Sequence, residues 1–288
     1  MKFKIQREAF LKPLQQIIRV VERRQTLPVL GNILVQADAH GLTLTATDLE
    51  VELVAGIPVE IESGGETTLP ARKLLDICRT LPDGAEVELD IGKERATLRS
   101  GKSRFTLATL PASDFPVIEE LNNAETLRLR QKDLKELIDR THFSMAQQDV
   151  RYYLNGLMFE LDKKGIRCVA TDGHRLALCE LAAKTGMNDA HQVIIPRKGV
   201  QELLRLLENE DTEVDVQIGG NHIRVGMPSI RFTSKLIDGR FPDYKRVVPK
   251  DGNKEVHADR AVLRQALART SILSNEKYRG IRLNLDHN

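Results

Sequence analysis

The sequence predicts an α+β fold built as tandem repeated domains, each carrying two helices on one side and antiparallel sheets on the other. Two observations predict it. The first is duplication: Val169-Ala170-Thr171-Asp172-Gly173 echoes Thr45-Ala46-Thr47-Asp48-Leu49, 124 positions apart. Pro196-Arg197-Lys198 echoes Pro70-Ala71-Arg72-Lys73, and Arg231-Phe232-Thr233 with Phe241-Pro242 echoes Arg104-Phe105-Thr106 with Phe115-Pro116. A period of this length is too long for a solenoid, whose units run roughly 20–50 residues, and is the size of a whole domain. The second is the alternation, inside each copy, of short strands with two amphipathic helices.

Taken in order, Phe3-Lys4-Ile5 alternates as a strand, and Arg7 to Glu22 follows with Phe10, Leu14, Ile17 and Val21 at helical spacing. Pro13 interrupts that pattern, so the helix either kinks there or starts near residue 12. Strands are expected at 30–34, 42–47 and 50–57, punctuated by Gly41 and Gly56. A second helix over 71–81 carries Leu74, Leu75 and Cys78 on one face, and strands at 86–91, 95–100 and 104–109 complete the copy. The second copy repeats the order with helices at 132–141 and 197–207. A third opens with a strand at 256–258 and a helix carrying Leu263, Ala266 and Leu267, then a strand from Arg279 to Leu285. The expected divisions are 1–123, 124–250 and 251–288, the last an incomplete third domain. A unit that short does not bury a core alone, and the chain is expected to be truncated and mostly monomeric.

Composition sets the class. With 41% hydrophobic and 29% charged residues over 288 positions, the chain has the make-up of a soluble globular protein with room for two cores. Cys78, Cys168 and Cys179 form no CxxC pair and are odd in number, which favours a reducing cytoplasm over a disulfide framework or zinc site. No apolar signal region or bilayer-length apolar run is present. Trp is absent, against sugar-binding or base-stacking platforms.

The net charge is only +2, yet its distribution is uneven. Basic residues collect on the helices, as at Arg72-Lys73 and Arg197-Lys198, while many acids lie in strands and turns. That sorting can present a positive surface to phosphates, although any soluble helix also has a solvated charged face. The recurrence of the basic pair at the start of the second helix in both copies favours the first reading, since helix N-termini attract anions. Catalysis lacks a constellation: His174 and Asp172 share one turn, and there is no Walker loop, dinucleotide fingerprint or HExxH, nor any metal-type ligand cluster.

Several segments carry a family likeness: Phe10-Leu11-Lys12-Pro13-Leu14, Leu27-Pro28-Val29-Leu30-Gly31-Asn32, Thr47-Asp48-Leu49-Glu50, Gln148 through Gly156, Ala170 through Leu176, and Asp238 through Tyr244. Together they resemble the bacterial sliding clamp, the β subunit of DNA polymerase III, across essentially the whole chain. The resemblance implies a DNA clamp fold of three similar domains, two chains closing head to tail into a ring around duplex DNA. It implies a non-catalytic processivity factor that needs no base readout, only weak, salt-sensitive contact with phosphates. By resemblance, DNA contact falls to Arg24, Arg72, Gln148, Tyr152, Tyr153, Arg197 and Lys198; half-buried packing competes as the role of the two tyrosines.

A peptide-binding cleft is implied at Leu154, Thr171, Gly173, His174, Arg175, Leu176, Pro242, Arg246 and Val247. It would receive short motifs rich in Gln, Leu and Phe from the polymerase III catalytic subunit, the clamp loader, other polymerases and repair proteins. The apolar members suit Leu and Phe anchors, and Thr-Asp-Gly-His also reads as a tight turn. The homodimer interface implied by the resemblance sets Phe105 and Leu107 against Ile272 and Leu273, with packing in the chain's own core as the rival for the first two. No cofactor, metal or membrane is expected. The alternative from another class is a non-encircling adaptor that binds peptide tails and never holds DNA.

Overall fold

The computed structural model describes residues 1–21, 27–92, 94–118, 121, 124–183, 185–186, 190–250, 252–275 and 280–285. They form two compact units, 1–241 and 242–288, each described by itself.

In the first unit, β1 (Lys2–Gln6) leads into α1 (Arg7–Ile17), extended by a 3-10 turn at Ile18–Val20. The helix begins at Arg7, whose N–H donates to the Ala85 carbonyl at 2.8 Å, and it runs through Pro13. Strands β2 (Asn32–Asp38), β3 (Gly41–Thr47), β4 (Val51–Ile57), β5 (Ile61–Ser63) and β6 (Gly65–Pro70) follow. Then come α2 (Ala71–Thr80), β7 (Glu86–Ile91), β8 (Arg95–Ser100) and β9 (Ser103–Ala108).

The second copy holds β10 (Glu125–Arg130), α3 (Gln131–Asp139), β11 (Gly156–Asp162), β12 (Gly165–Thr171) and β13 (Leu176–Ala182). It ends with β14 (His191–Pro196), α4 (Arg197–Leu206), β15 (Glu213–Ile218), β16 (His222–Gly226) and β17 (Ile230–Lys235). The strand before the second helix, β6 or β14, escapes the sequence reading in both copies. Each ends in a proline, and β6 carries a single large aliphatic residue, Leu69, so neither shows a sustained alternation.

Three antiparallel sheets result, in the orders β5-β1-β7-β8-β9, β10-β15-β16-β17-β4-β3-β2-β6 and β13-β12-β11-β14. The eight-stranded sheet crosses the boundary between the repeats. There β17 pairs with β4, setting Phe232 opposite Leu53 and Thr233 opposite Glu52. By repeat position β9 corresponds to β17 and β13 to β4, and these two stand at the ends of the other sheets. Helices cover the sheets pairwise, α1 against α2 and α3 against α4. They bury Phe10, Leu14 and Ile17; Leu74, Leu75 and Cys78; Leu134, Leu137 and Ile138; and Val200, Leu203 and Leu206. These stripes, with the fully enclosed Phe159 and Phe232, are the core. Truncating either phenylalanine to alanine would cost about 3–5 kcal/mol.

The second unit contains α5 (Arg260–Ser271), capped by the Asp259 carboxylate, which accepts from the Val262 N–H at 2.9 Å. No residue of α5 is buried, so its expected apolar stripe stays on the surface. Two expected strands do not form: residues 256–258 and 280–285 have no regular structure, and Arg279 lies outside the described residues. β1 and β10 are held by β7 and β15. Among the described residues no strand offers 256–258 or 280–285 the same ladder, and unpaired backbone does not hold a strand. No helix among the described residues is long and apolar enough to cross a membrane.

Candidate nucleic-acid interface and peptide-docking surface

Polar side chains build the site around one loop and one turn. Between α3 and β11 the chain makes a closed loop at 145–155. Its neck is the Ala146 N–H donating to the Leu154 carbonyl at 3.0 Å. Across it the Asn155 carboxamide accepts from the Asp149 N–H at 2.9 Å and donates to the Asp149 carbonyl at 2.8 Å. The Asp149 carboxylate in turn accepts from Arg151, from its N–H at 2.8 Å, Nε at 3.0 Å and Nη2 at 2.8 Å. The guanidinium thus holds the Asp149 carboxyl down to about 2, against an ordinary 3.8. This frame displays Gln148, in a left-handed conformation at φ 55°, and Tyr152, 55% exposed. Tyr153 is half-buried and stands edge-on to Tyr152, ring centres 5.7 Å apart. Tyr152 thus presents its ring to solvent, with Tyr153 packed beside it.

Arg72 and Arg197 do the same thing in both copies. At the start of α2, Arg72 Nη2 donates to the Val21 carbonyl at 2.6 Å; at the start of α4, Arg197 Nη1 donates to the Met145 carbonyl at 3.0 Å. Each arginine thereby ties the segment after the first helix to the second helix. Lys198 Nζ lies 2.5 Å from Asp48 Oδ2. Arg24 falls outside the described residues. Elsewhere the basic helix faces are mixed: Arg79 lies 3.9 Å from Asp76, Arg140 2.6 Å from Glu136, Lys132 2.5 Å from Asp211, and Arg205 against Glu202. The exposed pairs among these leave much of the charge screened.

The turn between β12 and β13 is built on Thr171 and Asp172. The Thr171 hydroxyl donates to the Arg175 carbonyl at 2.7 Å and accepts from the Gly173 N–H at 3.1 Å. The Asp172 carboxylate accepts from the N–H groups of His174 and Arg175, each at 3.0 Å, and from Arg175 Nε at 3.0 Å. Burial alone would raise the Asp172 carboxyl; these donors outweigh it and hold the group below its ordinary value. The first copy repeats the construction. The Thr47 hydroxyl donates to the Val51 carbonyl at 3.0 Å, and Asp48 accepts from the Glu50 and Val51 N–H groups at 2.9 and 2.7 Å.

Gly173, His174 and Arg175 are exposed, Thr171 and Leu176 half-buried, and Leu154 is buried. Arg175 also lies over the exposed ring of Phe143, 5.8 Å from its centre. Sequence reasoning passed over Phe143, Asp149, Arg151 and Asn155. The last three sit within the quoted run from Gln148 to Gly156, but only folding reveals that they close the loop. In the second unit Arg246 Nε lies 2.9 Å from Asp243 Oδ2, and Val247 is exposed. Phe105 and Leu107 share the inward face of β9, with Leu107 buried and Phe105 half-buried against the core. Ile272 and Leu273, just past α5, are 77% and 94% exposed.

The chain is similar to known proteins along its whole length. Profiles of the DNA polymerase III beta subunit match in order: its N-terminal domain at residues 1–119, its central domain at 128–243 and its C-terminal domain at 245–288. The beta sliding clamp of Pseudomonas putida is 55% identical over 286 residues, covering 99% of this chain and 78% of that protein. That of Escherichia coli is 52% identical over 289 residues, covering 100% and 79%. A crystal structure of the Pseudomonas aeruginosa sliding clamp bound to griselimycin superposes with a TM-score of 0.95 at 55% identity, covering 99% of this chain and 78% of that one. A Caulobacter crescentus clamp structure gives 0.88 at 40% identity, covering 96% and 76%. The duplicated architecture and these matches agree, and the chain belongs to the DNA polymerase III beta subunit family, the non-catalytic sliding clamps of DNA replication.

Proposed function

We propose that this clamp meets duplex DNA through the closed loop at 145–155 and the starts of the second helices, with Arg24, Arg72, Gln148, Tyr152, Tyr153, Arg197 and Lys198 as the contacting set. The observation that carries this is the loop itself: Gln148 and Tyr152 are held outward by a frame already made, so contact costs little ordering. Partner peptides dock on Leu154, Thr171, Gly173, His174, Arg175 and Leu176, and the resemblance adds Pro242, Arg246 and Val247 of the second unit. The partners are the polymerase III catalytic subunit, the clamp loader, and other polymerases and repair proteins that carry short linear motifs.

The division into clamp domains follows the repeat, at 1–123, 124–250 and 251–288. At full length two chains join head to tail, Phe105 and Leu107 of one against Ile272 and Leu273 of the other. Three cysteines in no disulfide support a cytoplasmic setting.

Retention on DNA tests the reading. Loaded onto nicked circular duplex by a clamp loader, the full-length protein should stay bound through a salt wash and be released once the circle is linearised. Equal loss from circles and linear DNA would transfer the case to a non-encircling peptide adaptor. Tyr152→Ala should weaken binding to a labelled duplex at every sequence tested, and an unchanged titration would remove the loop from the interface.

A further inference from the structure

Arg151 belongs to both surfaces. One side of its guanidinium is bound to the Asp149 carboxylate of the loop. The other faces the turn: Nη2 is 3.4 Å from the Asp172 carbonyl, and a Cβ on Gly173 would stand 3.1 Å from Nη1 and from Nη2. Contacts that close are tighter than side chains ordinarily make, and Gly173 has φ +85°, a conformation L side chains rarely adopt. The guanidinium therefore rests on the bare Cα of a glycine. The first copy marks the difference, since Leu49 occupies the matching place in its turn at φ 77°, with a side chain where Gly173 has none. Where the second turn departs from the first, it makes room for Arg151.

We propose that Arg151 is a positioning residue shared by the two sites, holding the loop of Gln148, Tyr152 and Tyr153 in register with the turn of His174 and Arg175. A change in the turn is then felt at the DNA surface, and a change in the loop is felt by a docked peptide. The inference rests on the assignment of DNA to the loop and peptides to the turn made above. The coupling has a physical path of few steps: Asn155 clamps Asp149, Asp149 clamps Arg151, and Arg151 abuts the Asp172–Gly173 backbone.

Cross-site effects test it. Two titrations are followed on the full chain by fluorescence anisotropy: a labelled 30-base-pair duplex, and a labelled hexapeptide of Gln, Leu and Phe. Gly173→Ala, which alters no residue of the DNA-contacting set, should weaken the duplex about 3- to 10-fold, and Asp149→Asn should weaken the peptide by a similar factor, as for groups in one network. Arg151→Lys keeps the charge, so the slope of duplex affinity against salt should hold while both affinities fall. In that background Gly173→Ala should cost no further duplex affinity. Cross-effects below twofold, or additive losses in the double variant, would overturn the proposal. Tyr152→Ala separates the two failures: if it too leaves duplex binding intact, the loop assignment falls and takes the strut with it; if it weakens binding while Gly173→Ala does not, the strut alone is wrong.

Discussion

Lys198 Nζ, on α4 of the second repeat, lies 2.5 Å from Asp48 Oδ2, in the β3–β4 turn of the first. The Asp48 side chain is only 3% exposed while Lys198 keeps 35%, so the pair is dry at one end and wet at the other. It lies alongside the backbone seam formed by β4 and β17, so the repeats are joined by an ion pair as well as by a ladder.

Removing the lysine strands Asp48 Oδ2, while Oδ1 keeps its two backbone donors from Glu50 and Val51 among the described residues. Lys198→Met should cost about 1–3 kcal/mol of stability. Asp48→Asn with Lys198→Met should cost less than the sum of the two single changes. Urea denaturation with unchanged m-values reads both, and strict additivity would show that the pair carries no energy of its own.

The two arginine tethers should differ in strength. The carbonyls they serve belong to equally buried residues, Val21 and Met145, but Arg197 is half-buried whereas Arg72 is exposed and water can take its place. Arg197→Ala should cost about 1–3 kcal/mol and Arg72→Ala under about 1 kcal/mol. Equal denaturation midpoints for the two variants would contradict this ranking.

Acid should unfasten the loop. The Asp149 carboxyl sits at about 2 in the folded chain against an ordinary 3.8, chiefly because Arg151 bonds to its charged form. A depressed carboxylate contributes stability that is complete above its unfolded value and lost as pH falls from there through the folded one. Between pH 4 and pH 2 the wild type should therefore lose this contribution, and Asp149→Asn should show a flatter limb. Thermal melts across that range measure it; parallel curves for the two proteins would rule it out.

His222 gives an independent pH signal. Burial, with Lys235 and Arg224 nearby, pushes its pKa below the ordinary 6.5. The unfolded chain thus takes up this proton first, so stability falls as pH drops below about 6.5 until the lowered native value is passed. His222→Gln should remove that part of the slope, as seen in denaturation midpoints at pH 7.5 and 5.5.

Gly41 and Gly165, in matching places of the two copies, open β3 and β12 at φ 126° and 152°. A Cβ would stand 2.5 Å from the Ile57 carbonyl oxygen at Gly41 and 2.0 Å from that of Leu181 at Gly165. Alanine at either should cost more than about 2 kcal/mol, from backbone strain and a clash that rigid strands cannot relieve. Melting temperatures within a degree of wild type would refute it.

The amino-acid sequence alone determined the duplication, the fold class, the helices and most strands, because apolar periodicity and turn chemistry are local signals that recur at a fixed offset. The Thr-Asp turn was legible in the same way, and the motif from Gln148 to Gly156 through its resemblance to the sliding clamps. What only tertiary structure decided is which polar groups meet. Asn155 reaches Asp149, and Arg197 reaches Met145 across 52 residues. Arg151 leaves its loop for the turn at Gly173, and Lys198 crosses from one repeat to the other. Charge on a helix face looks the same in sequence whether it awaits a phosphate or is already bound to a carbonyl. The difference lies in long-range geometry, and no local pattern encodes that. The strands expected near residue 256 and before residue 285 failed for a related reason, since a strand is completed by its neighbour rather than by its own residues.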